Sequence, residues 1–217
     1  QFMPTTYRQY AVDFDGNGRR DIWRSSDDAL ASAANYLSLS GWQHNQPWGF
    51  EVDLPSRDFD YILADGALKK TLAQWQALGI KPRNKINLRP LKQQQATLFL
   101  PSGHNGPAYL LLDNFRSILK YNNSSSYALA IGLLANALKG DYSAPVVWPK
   151  HERMLSRTER VELQTLLNSL GFDSGNPDGI IGVNSRQAVR DFQQSQGLAA
   201  DGHPNVELLK SVRNAAR

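Results

Sequence analysis

The chain has 217 residues, of which 41% are hydrophobic and 20% charged, with no cysteine and a formal net charge of +4. That length allows one or two domains, and the composition is globular rather than disordered or fibrous. The missing cysteine excludes disulfides, thiolate metal sites and cysteine nucleophiles, while the mild positive balance favours acidic polymers without choosing among nucleic acid, anionic lipid and cell wall.

Residues 1–24 read as a turn-rich loop. A helix is expected over 28–39, with Leu30, Ala33, Ala34 and Leu37 on one face and Gly41 as its stop. The stretch 42–54 is aromatic and irregular, with a strand candidate at 50–54 and Trp42 and Trp48 as packing residues. A second helix is expected over 61–78, ending near Gly79. Residues 96–100 and 108–112 are short apolar runs separated by Pro101-Ser102-Gly103-His104-Asn105-Gly106, which predicts two strands joined by a turn. Helices follow over 114–121 and about 126–140. The second of these is apolar on nearly all sides, which predicts burial.

Residues 141–155 break any helix through Pro145, Trp148 and Pro149 and mark the clearest boundary. Beyond it, Thr158 can cap a helix carrying Val161, Leu163, Leu166, Leu167 and Leu170, closed by Gly171. A loop with Asp173, Gly175, Asn176, Pro177, Asp178 and Gly179 leads to a helix opened by Asn184 or Ser185 and carrying Ala188, Val189 and Phe192. Residues 206–212 form a third.

One short run stands out chemically. Asp13-Phe14-Asp15-Gly16-Asn17-Gly18-Arg19-Arg20-Asp21 places oxygen side chains at loop positions 1, 3, 5 and 9, with Gly18 at the sharp sixth position. Calcium takes six to eight hard oxygen ligands, and this spacing suits it. Position 12 is Arg24 instead of Glu, so the closing carboxylate has to come from Asp27 or Asp28 in a slightly longer loop. The alternative is an acidic Asx turn without metal. The four histidines, His44, His104, His151 and His203, show no zinc-binding grouping. No helix is dense in Arg or Lys, so no nucleic-acid partner is expected, and no apolar run is long enough for a transmembrane segment. Glu51, Asp53, Asp58, Asp60 and Asp65 have no spacing that marks a catalytic pair, and Asp58 and Asp60 read as surface or cap residues.

Two sets of motifs carry a family resemblance. Gln1-Phe2-Met3-Pro4-Thr5-Thr6-Tyr7, the acidic loop, Asp21-Ile22-Trp23, Ala34-Asn35-Tyr36, Asn114-Phe115, Tyr121-Asn122 and Ser124 through Tyr127-Ala128 resemble the membrane-bound lytic transglycosylase B family, soluble forms included. Asp178-Gly179-Ile180-Ile181-Gly182, Ser185-Arg186, Ala188-Val189, Phe192-Gln193, Gly197 and Asp201-Gly202 resemble the three-helix peptidoglycan-binding domain. The implied fold is mainly α: a lysozyme-like lytic transglycosylase region with a small β-containing segment over 1–142, holding an EF-hand-like loop at 13–28, then a linker over 143–154 and a three-helix bundle over 155–217.

The resemblance implies cleavage of the β-1,4 bond between N-acetylmuramic acid and N-acetylglucosamine without water. The muramyl C6 hydroxyl attacks C1 and leaves a 1,6-anhydromuramyl end, with one glutamic acid serving as acid and then base. In the family that glutamate lies on a helix before the Gln-Phe-Met-Pro motif. The chain opens within that motif, so it reads as the interior of a longer protein, inactive alone and partnered by its own N-terminal remainder. Carried over residue by residue, Gln1, Phe2, Met3, Tyr36, Tyr121 and Tyr127 line the substrate groove. Asp13, Asp15, Asn17, Arg19 through its carbonyl, and Asp28 hold a structural Ca2+. On the residues alone, Tyr36 and Tyr127 sit on helical patterns and read as core. Arg186 is expected to meet stem-peptide carboxylates, with a surface arginine near a helix start as the alternative. Glycan strands and stem peptides are the implied partners, and the bacterial periplasm or the periplasmic face of the outer membrane is the implied location. The rival reading is a noncatalytic peptidoglycan-binding module.

Overall fold

A computed structural model describes residues 2–55, 59–83, 86–141, 148–150 and 152–217. Its elements run α1 (Pro4–Tyr10), α2 (Ser26–Leu39), β1 (Gly49–Asp53), β2 (Lys70–Thr71), α3 (Leu72–Ala77), β3 (Lys81–Pro82), β4 (Gln95–Phe99), β5 (Ala108–Leu111), α4 (Asp113–Tyr121), α5 (Ser125–Leu138), α6 (Arg157–Ser169), α7 (Val183–Ser195) and α8 (Val206–Ala215). The fold is mainly helical, with an antiparallel sheet and a C-terminal three-helix segment, as the sequence predicts. The chain divides into two compact units, residues 1–49 with 111–142 and residues 50–110 with 143–217.

In the first unit, α1 replaces part of the loop expected over 1–24. Pro4 sits at its start, where a missing N–H costs nothing and the fixed φ favours a helix. The helix has no buried residue and is held from outside, since Asn35 Nδ2 donates to the Tyr10 carbonyl at 2.9 Å. Ser25 caps α2 by accepting from Asp28 N–H, and Gly41 ends it with φ +94°. The loop beyond is fixed by Asn114, which accepts from Gln43 N–H at 2.7 Å and donates to the carbonyls of Gln43 and Gln46 at 2.9 and 2.8 Å. Trp48 is buried as expected and packs on α5 where Gly132 leaves room. The rest of α5 departs from expectation: only Ala128, Leu129 and Gly132 are buried, while Leu134 and Leu138 are 56% and 82% exposed.

In the second unit the five strands are ordered β2-β4-β5-β1-β3. The pairs β1–β3 and β2–β4 are antiparallel. The helix expected over 61–78 is instead a 3-10 turn at Tyr61–Ala64, then β2, then α3. Asp65 breaks it, because its Oδ1 accepts from both Ala67 and Leu68 N–H at 2.7 Å and Gly66 follows at φ +81°. Asp60 accepts from Ile62 N–H and so acts as the expected cap, whereas Asp58 lies outside the described residues.

The three C-terminal helices pack Leu155, Leu163, Leu167, Ala188, Val189, Phe192, Leu208, Leu209 and Val212 into one core. The cap of α6 is Ser156 rather than Thr158: Ser156 and Glu159 form a reciprocal capping box, which satisfies two N–H groups where Thr158 could satisfy one. Helix α7 opens at Val183 after Gly182, earlier than Asn184 or Ser185. This segment is seated on the sheet segment of the same unit. Buried Asp201 accepts from His104 Nδ1 at 2.6 Å, His104 N–H at 2.8 Å and Gln193 Nε2 at 2.8 Å. Arg190 donates to the Ala64 carbonyl at 3.2 Å.

Candidate functional site

Five aromatic rings converge in the first unit. The Tyr36 ring lies 4.6 Å from Tyr10, 5.4 Å from Tyr121 and 6.3 Å from Phe2. Tyr121 continues the row to Tyr127 at 6.3 Å, stacked at 22° between planes, and lies 6.5 Å from Phe2. All five are half-buried, so each presents part of its ring to solvent. The Tyr36 hydroxyl donates to the Lys120 carbonyl at 2.7 Å, and Lys120 Nζ donates to the Ser40 carbonyl at 2.8 Å, which ties α2 to α4 beneath the rings. Burial raises the Tyr121 hydroxyl above the ordinary tyrosine range, and Tyr127 and Tyr36 add to the shift. Tyr121 therefore stays neutral and able to donate.

Phe2, Tyr36, Tyr121 and Tyr127 are thus brought together. Met3 is the N-cap residue of α1 and is 66% exposed. Gln1 lies outside the described residues. Tyr10 belongs to the cluster although sequence reasoning passed over it. The available signal was Pro4 opening a helix with Tyr7 and Tyr10 three residues apart.

The acidic loop is also built. Carboxylate oxygens of Asp13, Asp15 and Asp28 lie within 4.8 Å of one another. Asp28 is fully buried and accepts from Phe14 and Asp21 N–H, each at 2.8 Å. The Phe14 N–H leads in holding its carboxyl below the ordinary range, with Asp21 and Asp15 N–H assisting against burial. Gly16 and Gly18 take φ of +73° and +83°, which non-glycine residues rarely adopt. Asn17 Oδ1 accepts from Arg19 N–H at 2.9 Å. Asp27 is exposed and outside this cluster, whereas Asp28 lies within it.

The model of the transglycosylase SLT domain family matches residues 1–136. The chain belongs to the lytic transglycosylase B family. A peptidoglycan binding domain model matches residues 156–211. Membrane-bound lytic murein transglycosylase B of Escherichia coli K12 is 34% identical over 139 residues, 64% of this chain and 36% of the relative. Among solved structures, SltB3 from Pseudomonas aeruginosa, in complex with NAG-anhNAM-pentapeptide, is 54% identical with a TM-score of 0.92, covering 98% of this chain and 57% of SltB3. SltB1 from the same organism is 30% identical with a TM-score of 0.52, covering 64% of this chain and 45% of SltB1. The chain therefore spans 36% to 57% of these relatives.

Within this lytic transglycosylase frame, the first unit carries the aromatic residues and contains no glutamate. The five glutamates are Glu51, Glu152, Glu159, Glu162 and Glu207. Glu51 is buried in β1 with Arg83 Nε 3.2 Å from its Oε1, and burial pushes its carboxyl up against the opposing pull of Arg83. In the C-terminal segment Arg186 is half-buried and donates to the Gly202 carbonyl at 3.4 Å. Its guanidinium therefore braces the Asp201-Gly202 turn, a structural task that the sequence did not reveal. No helix among the described residues is long and apolar enough to cross a membrane.

Proposed function

We propose that this chain is the glycan-binding wall and wall-anchoring module of a peptidoglycan lytic transglycosylase that produces 1,6-anhydromuramyl ends. The observation that carries the reading is the row Phe2, Tyr36, Tyr121 and Tyr127 on a unit that matches the transglycosylase family model. Sugar rings offer C–H faces to aromatic rings and hydroxyl or acetamide groups to phenols. Because the Tyr36 hydroxyl spends its proton on Lys120, it meets substrate as an acceptor. Tyr121 presents its half-buried ring near the scissile bond. Gln1 adds a further hydrogen-bonding group, and Phe2 and Met3 line the same wall.

The general acid, in this reading, is a glutamate outside residues 1–217. Two features support it: the aromatic unit contains no glutamate, and that unit exposes Met3, Leu30, Leu39, Leu134 and Leu138, an apolar surface suited to covering by the N-terminal remainder. The C-terminal helices hold peptidoglycan, and the parent protein works in the bacterial periplasm or at the periplasmic face of the outer membrane.

A structural Ca2+ fits the acidic loop through Asp13, Asp15, Asn17, the Arg19 carbonyl and Asp28. The ion would supply rigidity alone, since no substrate group is needed at the site. Millimolar calcium is expected to raise the melting temperature of the chain, because a ligand bound only by the folded state stabilises it. An unchanged melting curve would remove the assignment.

The deciding experiment compares the whole parent polypeptide with residues 1–217 on purified sacculi, with products read by mass spectrometry. The parent is expected to release anhydromuropeptides, and the 217-residue chain to bind without turnover. Reducing muramic acid ends would indicate hydrolysis instead. Turnover by the 217-residue chain would show that the acid lies within it.

A further inference from the structure

A surface hollow of about 400 Å³ in the first unit is lined by Tyr7, Arg19, Arg20, Asp21, Trp23 and Arg24. It shares no residue with the tyrosine row. Trp23 is 74% exposed, yet its ring is held 5.2 Å from the Tyr7 ring at 37° between planes. The Tyr7 hydroxyl donates to the Arg20 carbonyl at 2.7 Å. Asp21 Oδ1 accepts from Trp23 and Arg24 N–H at 3.1 and 3.0 Å, and Asp21 N–H donates to buried Asp28. The backbone that presents the indole and the arginines is therefore fixed from both sides, and one oxygen of the Asp21 carboxylate accepts from that backbone. Among the described residues, none of Arg19, Arg20 and Arg24 forms an ion pair.

Three arginines line one hollow and form no ion pair among the described residues, which suits the hollow to an anion. The planar guanidinium fork matches a carboxylate in a way an ammonium does not. An exposed indole beside them adds a flat apolar face for a sugar ring or an aliphatic chain. Volumes of a few hundred Å³ suit a small ligand group. We propose that this hollow binds the carboxylate-bearing stem peptide of peptidoglycan, with Trp23 packed along its aliphatic or saccharide part. The inference rests on the peptidoglycan reading above. A phosphate-bearing membrane surface is the competing source of negative charge. The lining favours the peptide, since interfacial membrane binding uses a long apolar face laid into the bilayer and this lining sets charged residues around one indole.

The test uses the 15N-labelled 217-residue chain and NAG-NAM-pentapeptide as probe. Indole N–H resonances are followed by NMR, and that of Trp23 is assigned by its loss in Trp23→Phe. Trp48 and Trp75 are buried and serve as internal references. The Trp23 signal is expected to shift saturably with the pentapeptide and not with NAG-NAM whose lactyl carboxyl is capped as the amide. The doubly substituted Arg20→Gln/Arg24→Gln chain should bind about tenfold more weakly, roughly one lost charge-assisted hydrogen bond. Its melting temperature should be unchanged, which separates lost binding from lost fold. Saturable shifts elsewhere with a silent Trp23 would overturn this site while leaving the peptidoglycan reading standing. Failure of the chain to cosediment with sacculi would overturn that reading itself. A Trp23 response to phosphatidylglycerol vesicles but not to the pentapeptide would assign the hollow to a membrane and refute the proposal.

Discussion

Single residues fix the scaffold behind the aromatic row. Asn114 is 1% exposed and satisfies one N–H and two carbonyls of the 43–46 loop. Asn114→Ala removes three hydrogen bonds to part-buried backbone groups, each worth about 0.5–1.5 kcal/mol. A stability loss of about 2–4 kcal/mol is therefore expected, read from urea midpoints. A loss below about 0.5 kcal/mol would show that the loop finds other partners. Gly132 presents the opposite problem. A Cβ there would come 2.5 Å from Trp48 Cε2. Gly132→Ala, which gains helix propensity on an isolated helix, should here destabilise by about 1–3 kcal/mol through overpacking. Neither effect was legible in the sequence. Asn114 stood out only as part of a motif, and its partners lie about 70 residues away. Gln164 shows the same limit. It reads as a polar residue on an apolar helix, but its buried amide accepts from Gly179 N–H at 2.8 Å and donates to Ser185 Oγ at 3.0 Å, shaping the Asp178-Gly179 turn.

At the scale of elements, periodicity located α4 and the three C-terminal helices through apolar stripes that are buried; it also located α2 and α5, but in α2 the buried residues are Asp28 and Ser32 while Leu30 of the expected face is 71% exposed. It failed over 61–78, where apolar residues recur at helical spacing but the Asp65-Gly66 turn divides them. Caps were legible in kind but not always in position, as the start of α6 shows. Ser156→Ala should cost about 1 kcal/mol, since the substitution removes half of a capping box. Thr158→Ala at the same helix should cost less, and equal losses would contradict the assignment. That Asp13 and Asp15 lie together was legible, because positions 1 and 3 of such a loop are fixed by sequence spacing. Asp28 joins them from the entry of α2. In Asp28→Asn the calcium-dependent rise in melting temperature should be lost while the aromatic row stays folded. A retained rise would return the closing role to another group.

For the molecule as a whole, the C-terminal helices are seated on the sheet segment of their own unit. The lock is electrostatic. Burial alone would raise the Asp201 carboxyl, but hydrogen bonds from the His104 ring, His203 N–H, Gln193 and His104 N–H hold it at about 2. Asp201 is therefore ionised, so His104 Nδ1 carries the proton it shares. The same bond raises the His104 imidazole above its ordinary value against the opposing effect of burial. The sign follows from linkage. The Asp201 contribution is present above about pH 4 and lost as pH falls toward 2. The His104 contribution is complete below about pH 6.5 and declines as pH rises through its raised folded value. His203, pushed down by burial and drawn up by Glu152 and Asp201, works the other way: it loses stability when protonated as pH falls. The wild-type profile mixes these terms, so the informative quantity is the stability gap between wild type and His104→Asn. That gap should be largest near pH 6 and shrink by pH 9, without vanishing, because neutral His104 still donates through Nδ1. A gap independent of pH would mean that His104 holds the domain by shape alone. In that case Gly103→Ala, whose Cβ would meet Asp201 Oδ2 at 2.6 Å in a backbone with φ +68°, should still open the seat and expose its amides to hydrogen exchange.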